Sequence, residues 1–243
     1  MLTPHVTAAG HEPKSAAPAH VVAPTRPRTV PRSALEHVGT PSAHGQVCVD
    51  YFLGRRRIAR VYYEPSGTIA WELHYDDAGR LHGLEREEHE SGRLHYRARY
   101  RHGLQVGAQE QWDPRGHLIV STKFVRGTGL DLWYSSCNSW EERYFASGKL
   151  DGVERRWSGT ARLSSEAYFA HGVPHGIERR WNAEHRLRRG FPQYFVAGEK
   201  VDRRAYDRAR RTDPTLPAAS AKDDEIALLR ERPLAGSYVA EVA

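Results

Sequence analysis

The sequence predicts an all-β repeat protein, an elongated sheet of about six stacked antiparallel β-hairpins with a disordered amino-terminal tail and a short carboxyl-terminal helix. Two observations carry that expectation. An aromatic residue followed shortly by glycine recurs roughly every 24 residues, the mark of a repeat architecture. The pairs are Tyr75…Gly79, Tyr100…Gly103, Phe124…Gly127, Phe145…Gly148, Phe169…Gly172 and Phe195…Gly198. The segments leading to those aromatics alternate: Ile69, Trp71, Leu73, Tyr75; Leu94, Tyr96, Ala98, Tyr100; Leu118, Val120, Thr122, Phe124. Period-2 alternation of aromatic and β-branched residues marks a half-buried strand.

Residues 1–45 read as a disordered proline-rich tail. Pro24, Pro27, Pro31 and Pro41 lie among Thr, Arg and Val, and large apolar residues are scarce. Such a segment buries too little surface to offset its ordering entropy.

Residues 46–200 form the repeat domain. A second glycine follows the first four residues later, in the pairs Gly79/Gly83, Gly103/Gly107, Gly148/Gly152 and Gly172/Gly176. These eight are read as structural turn residues, because glycine enters the positive φ that tight hairpins need. Five residues after the second glycine comes Trp112, Trp157 or Trp181. In the third unit Gly129 stands for the second glycine and Tyr134 for the aromatic, and Ser135–Ser139 replaces the midway glycine turn seen at Gly67, Gly92 and Gly116. No hairpin of this size is stable alone, so neighbours must stack into one sheet.

Residues 201–243 read as a short helix over Val201–Arg210 and a flexible tail. Asp202 caps the helix, arginines near its end suit its dipole, and Asp213-Pro214 stops it. A second short helix is expected over Asp223–Arg230.

The unit aromatic-x-x-Gly-x-x-x-Gly-x-Glu-x-x-Trp, best displayed by Tyr168–Trp181, resembles the MORN repeats, and more closely the MORN-variant repeats of bacterial YwqK-type antitoxins. The resemblance covers about residues 55–200. It implies a non-enzymatic protein-binding repeat protein that neutralises a cognate toxin by direct contact. It implies as the alternative a peripheral scaffold on phospholipid membranes.

The composition narrows the chemistry. The net charge is +6, and the basic residues are arginine apart from Lys14, Lys123, Lys149, Lys200 and Lys222. That charge permits an acidic protein or an anionic lipid surface as partner. Nucleic acid ranks last, because Asp202, Asp207 and Asp213 interrupt the cluster of Arg203, Arg204, Arg208, Arg210 and Arg211 and no reader motif is present. No apolar run is long enough to span a membrane, and Met1–Gly10 lacks the pattern of a secretory leader, so a cytoplasmic protein is expected. Cys48 and Cys137 are too few for a disulfide scaffold or a four-cysteine zinc site.

No catalytic, cofactor or metal site is expected. The chain has no nucleophile elbow, phosphate-binding glycine loop or His-Glu-x-x-His motif. His82, His102, His171 and His175 each precede a repeat glycine, which reads as turn preference rather than a ligand set. Glu85, Asp131, Glu154 and Glu178 recur with the hairpins, where pairing with cross-strand arginines explains them. Binding is what remains. The candidate partner-binding residues are Trp112, Arg155, Arg156, Trp157, Arg179, Arg180 and Trp181, since aromatic and arginine side chains dominate interface energetics.

Overall fold

The computed structural model describes residues 25–135, 139–158 and 162–219. The expected tail before residue 25, the middle of Ser135–Ser139 with Cys137, and the second helix over Asp223–Arg230 lie outside the described residues. The first strands are β1 (Leu35–Val38), β2 (Val47–Leu53), β3 (Arg56–Tyr63), β4 (Ile69–Tyr75), β5 (Leu81–Glu88), β6 (Leu94–Arg101), β7 (Leu104–Gln105), β8 (Gly107–Trp112) and β9 (Leu118–Val125). There follow β10 (Thr128–Tyr134), β11 (Trp140–Ala146), β12 (Lys149–Ser158), β13 (Arg162–Ala170), β14 (Val173–Pro174), β15 (Gly176–Arg180), β16 (Gln193–Val196), β17 (Glu199–Val201) and helix α1 (Arg203–Ala209). Every pairing is antiparallel and joins strands close in the chain, so the protein is a long meander in a large open sheet.

Along one edge five loops are two residues long with both residues left-handed: His102-Gly103, Arg126-Gly127, Ser147-Gly148, His171-Gly172 and Ala197-Gly198. That backbone matches the twist of the flanking strands. Each loop is tied to the one before it. The amide of Gly103 donates to the Leu81 carbonyl at 2.7 Å, that of Gly127 to Gln105 at 2.8 Å, and that of Gly172 to Leu150 at 2.8 Å. At the short repeat step Gly148 instead donates to Gly127 itself, at 2.9 Å. A Cβ on Gly127 would lie 2.6 Å from the Gly148 nitrogen, so only glycine fits there.

The second glycines do not turn the chain. Gly83 and Gly152 lie inside β5 and β12, while Gly107 and Gly176 open β8 and β15 after a one-residue interruption, all with positive φ. Beside them the pairing slips, as at a β-bulge. The Val106 amide donates back to Arg99 and the His175 amide to Tyr168, each at 2.8 Å. Gly129 has no such φ; it is needed because a Cβ would lie 2.6 Å from the Lys123 carbonyl oxygen.

The part of the expected tail that lies within the described residues is ordered. Within residues 25–45, β1 pairs with β2 along its whole length, and Val30 and Ala34 are buried. They cover one face of the sheet at Val47, Val49, Tyr51, Ala59, Val61, Tyr63 and Ile69. Polar contacts hold the segment as well. The Thr29 hydroxyl and the Arg86 guanidinium both bond the buried carboxylate of Glu72, which also meets His74 Nε2 at 2.6 Å. Burial alone would raise the Glu72 pKa, but these three partners hold it down at about 2. Too few apolar residues for a core of its own did not exclude docking on a core built by other strands.

The sheet nearly breaks between β9 and β10. They pair at only two positions, Val125 with Thr128 and Phe124 with Gly129. Beyond that, β10 is bonded by side chains from β8. Gln109 Nε2 donates to the Asp131 carboxylate at 2.5 Å and to the Leu132 carbonyl at 3.2 Å. Gln111 donates to the Tyr134 carbonyl and accepts from its amide. A second core forms at this corner from Val120, Leu130, Leu132, Trp140, Trp157, Leu163 and Trp181. Nearby, Glu85 is 8% exposed and accepts from Trp71 Nε1 at 2.9 Å. Burial pushes its pKa up to about 7, against the bonds from the Trp71 indole and Tyr100.

The helix forms where expected. Asp202 accepts from the Ala205 amide as its cap, at 2.8 Å, and α1 spans one turn fewer than Val201–Arg210. Its Tyr206 packs with Ile177, Tyr194 and Leu216, covering the end of the sheet.

Candidate functional site

Strand parity builds one groove on the open face between β12 and β16. On β13, Ser165, Ala167 and Phe169 point to the same side, opposite Arg156, Glu154 and Gly152 of β12. On the other flank Arg180 opposes Ser165, while Phe195 opposes Gly176. Small side chains in the middle strand leave a depression of about 470 Å³. Its floor is Ala167, Phe169, Pro174 and Phe195, and its rim carries Glu154, Arg156, Glu178, Arg180 and Arg188.

The rim is charged but internally paired. Arg156 Nη2 meets Glu141 at 2.8 Å and Glu154 at 3.2 Å. Arg180 Nη2 meets Glu178 at 2.7 Å, and its guanidinium carbon stands 5.3 Å over the Phe191 ring. Both arginines are about half exposed, 52% and 54%, so solvent screens these pairs and each contributes roughly 0–1 kcal/mol. Such pairs exchange readily for a partner's charges.

The seven candidate binding residues separate. Arg156 and Arg180 stand on the rim. Trp157 and Trp181 are each 2% exposed and belong to the second core, so they pack the fold and offer no surface anchor. Arg179 is buried on the opposite face, where Glu166 Oε1 lies 3.2 Å away, and Arg155 bonds the other Glu166 oxygen at 2.9 Å. Trp112 is half-buried under the Arg97 guanidinium and is not part of the groove. Tryptophan spacing could not separate a surface row from a core row, because the same repeat places both. Of the recurrent acids, Asp131 pairs with Arg143 across β10–β11 as expected, whereas Glu154 meets Arg156 and Glu178 meets Arg180 along their own strands rather than across to a neighbour. Glu85 departs from that pattern.

Sequence reasoning missed Ala167, Pro174 and Arg188, and read Phe169 and Phe195 only as unit-ending aromatics. The available signal was the parity of Ser165, Ala167 and Phe169, which sets small residues between two charged strands. Tyr168–Trp181, the stretch with the clearest repeat motif, contributes six residues of this lining: Tyr168, Phe169, Pro174, Ile177, Glu178 and Arg180.

No protein-family model and no curated protein matches this chain. Among the described residues no helix is long and apolar enough to cross a membrane.

Proposed function

We propose that the chain is a non-enzymatic, cytoplasmic binding protein of MORN-like hairpins that takes a segment of a partner protein into the groove between β12 and β16. The observation that carries this reading is a half-buried apolar floor, Ala167, Phe169, Pro174 and Phe195, lying between rows of exchangeable charge. Apolar burial gives such a contact its driving force, and the rim supplies orientation. The resemblance of the hairpins to YwqK-type antitoxin repeats makes a co-encoded toxin the first partner to examine.

The test is a tagged capture from the native host at low and high salt, with wild-type chain and Ala167→Arg in parallel. Ala167 lies on the groove floor outside the buried cores, so the variant blocks the groove while leaving the cores in place. A stoichiometric protein held at high salt by wild type and lost by Ala167→Arg supports the proposal. Its toxicity when expressed alone supports the antitoxin role. Salt-sensitive sedimentation with anionic vesicles and no protein capture overturns the reading in favour of a membrane scaffold.

A further inference from the structure

Along the edge of two-residue loops, one connection is different. Between β4 and β5 the chain uses five residues, Asp76–Arg80, where the other described loops of that edge use two. The Asp76 amide donates to the Arg80 carbonyl at 2.9 Å. Asp76 Oδ1 accepts from the amides of Ala78 and Arg80, each at 3.0 Å. One carboxylate oxygen is thereby locked by the loop, and the other, Oδ2, is aimed at the next loop.

Two histidines meet it there. His102 Nδ1 stands 2.8 Å from Asp76 Oδ2. His82, at the start of β5, accepts from the His102 amide through Nδ1 at 3.3 Å, and the two imidazole centroids are 4.8 Å apart. One donor atom from each of Asp76, His82 and His102 falls within 4.8 Å of the others. The two contacts at His102 Nδ1 cannot both be hydrogen bonds in one tautomer. Arg80 Nη2 donates to Asp76 Oδ2 and also faces His102 Nδ1 at 3.1 Å. For Arg80, that imidazole nitrogen must accept; for Asp76, it must donate. A single nitrogen cannot do both. A divalent ion at this point would take a lone pair from both groups in place of the guanidinium.

We propose that Asp76, His82 and His102 form a binding site for a borderline divalent metal ion such as Zn²⁺. Two imidazoles and one carboxylate suit that class of ion and leave one coordination position open. This departs from the expectation of no metal site, which rested on spacing along the chain; here the ligands converge across two successive loops. The comparable pair at the later loop, His171 with Asp151 at 3.2 Å, has only two donors and serves as the internal control.

The test is titration of the full chain with Zn²⁺ by calorimetry, with Co²⁺ absorption reporting the ligand set. His102 has φ 51°, so His102→Asn keeps a residue that tolerates the left-handed turn while removing the imidazole. One ion per chain is expected. His102→Asn and His82→Gln each weaken binding by more than the roughly 10–100-fold that loss of an outer-shell partner costs. His171→Ala leaves affinity unchanged, and Arg80→Met tightens it by removing the competing cation. Zinc raises the melting temperature of wild type and His171→Ala but not of the two ligand variants. The absence of one-to-one binding by wild type overturns the proposal, as does unchanged affinity in His82→Gln and His102→Asn when circular dichroism shows both folded.

Discussion

The side-chain amide of Gln111 stands in for a β-strand beside Tyr134. Its oxygen accepts from the Tyr134 amide at 2.9 Å, and its nitrogen donates to the Tyr134 carbonyl at 2.5 Å. This is the pair of bonds that a neighbouring strand makes to one residue of an antiparallel partner. Gln109, two residues earlier, does the same for the Leu132 carbonyl. The meander therefore leaves its ladder after two residue pairs with the Leu132 carbonyl and both Tyr134 backbone groups still bonded.

Gln111 is 1% exposed, so replacing it strands buried groups. Gln111→Ala is expected to cost about 2–4 kcal/mol, from two unsatisfied backbone groups at about 1–3 kcal/mol each with partial relaxation. Gln111→Met, which keeps most of the volume, should lose nearly as much. Urea unfolding measures both. Recovery of wild-type stability by the Met variant would show that volume, not hydrogen bonding, holds the corner.

Glu85 sets a pH dependence of stability. Its folded pKa of about 7 lies above the ordinary 4.5. The folded state therefore holds this proton more tightly than the unfolded chain does. The contribution is fully present below about pH 4.5 and is lost as pH rises to about 7 and beyond. Glu85→Gln keeps the neutral shape at every pH. It should be more stable than wild type at pH 8, by about 1–3 kcal/mol, and close to it at pH 5. Denaturant midpoints across that range decide it; parallel curves for the two proteins count against a buried neutral carboxyl.

The glycines divide into positions that need space and positions that need only φ. At Gly176, φ is 141° and a Cβ would lie 2.5 Å from the Tyr168 Cβ. At Gly116, φ is 92° and nothing lies within 4 Å. Gly116→Ala should cost about 1–2 kcal/mol from backbone strain alone. Gly176→Ala adds a clash between two strands and should cost several-fold more. Equal melting temperatures for the two variants would show that Tyr168 yields freely.

Much of this architecture was legible in the residues. Alternation at Leu94–Tyr100 and Leu118–Phe124 marks strands, His102-Gly103 and its relatives mark the loops, and Asp202 marks the helix start. Each of these depends on neighbours in the chain, through side-chain parity or a backbone conformation that few residues adopt. The second glycines were harder: Gly152 and Gly176 have turn-like φ, but they bulge strands because a facing side chain leaves no room for a Cβ.

Burial followed other rules. Trp157 and Trp181 are core and Arg156 and Arg180 are rim, although the same repeat motif places all four. That division depends on which face another part of the chain covers. Residues 29–34 cover one face at β2–β4, β10 crosses against Gln109 and Gln111, and α1 closes the end over Ile177 and Tyr194. The meeting of Asp76 with His102 is of the same kind. A strand's period records that it has two faces, but contacts between residues far apart in the chain choose which one is hidden from water.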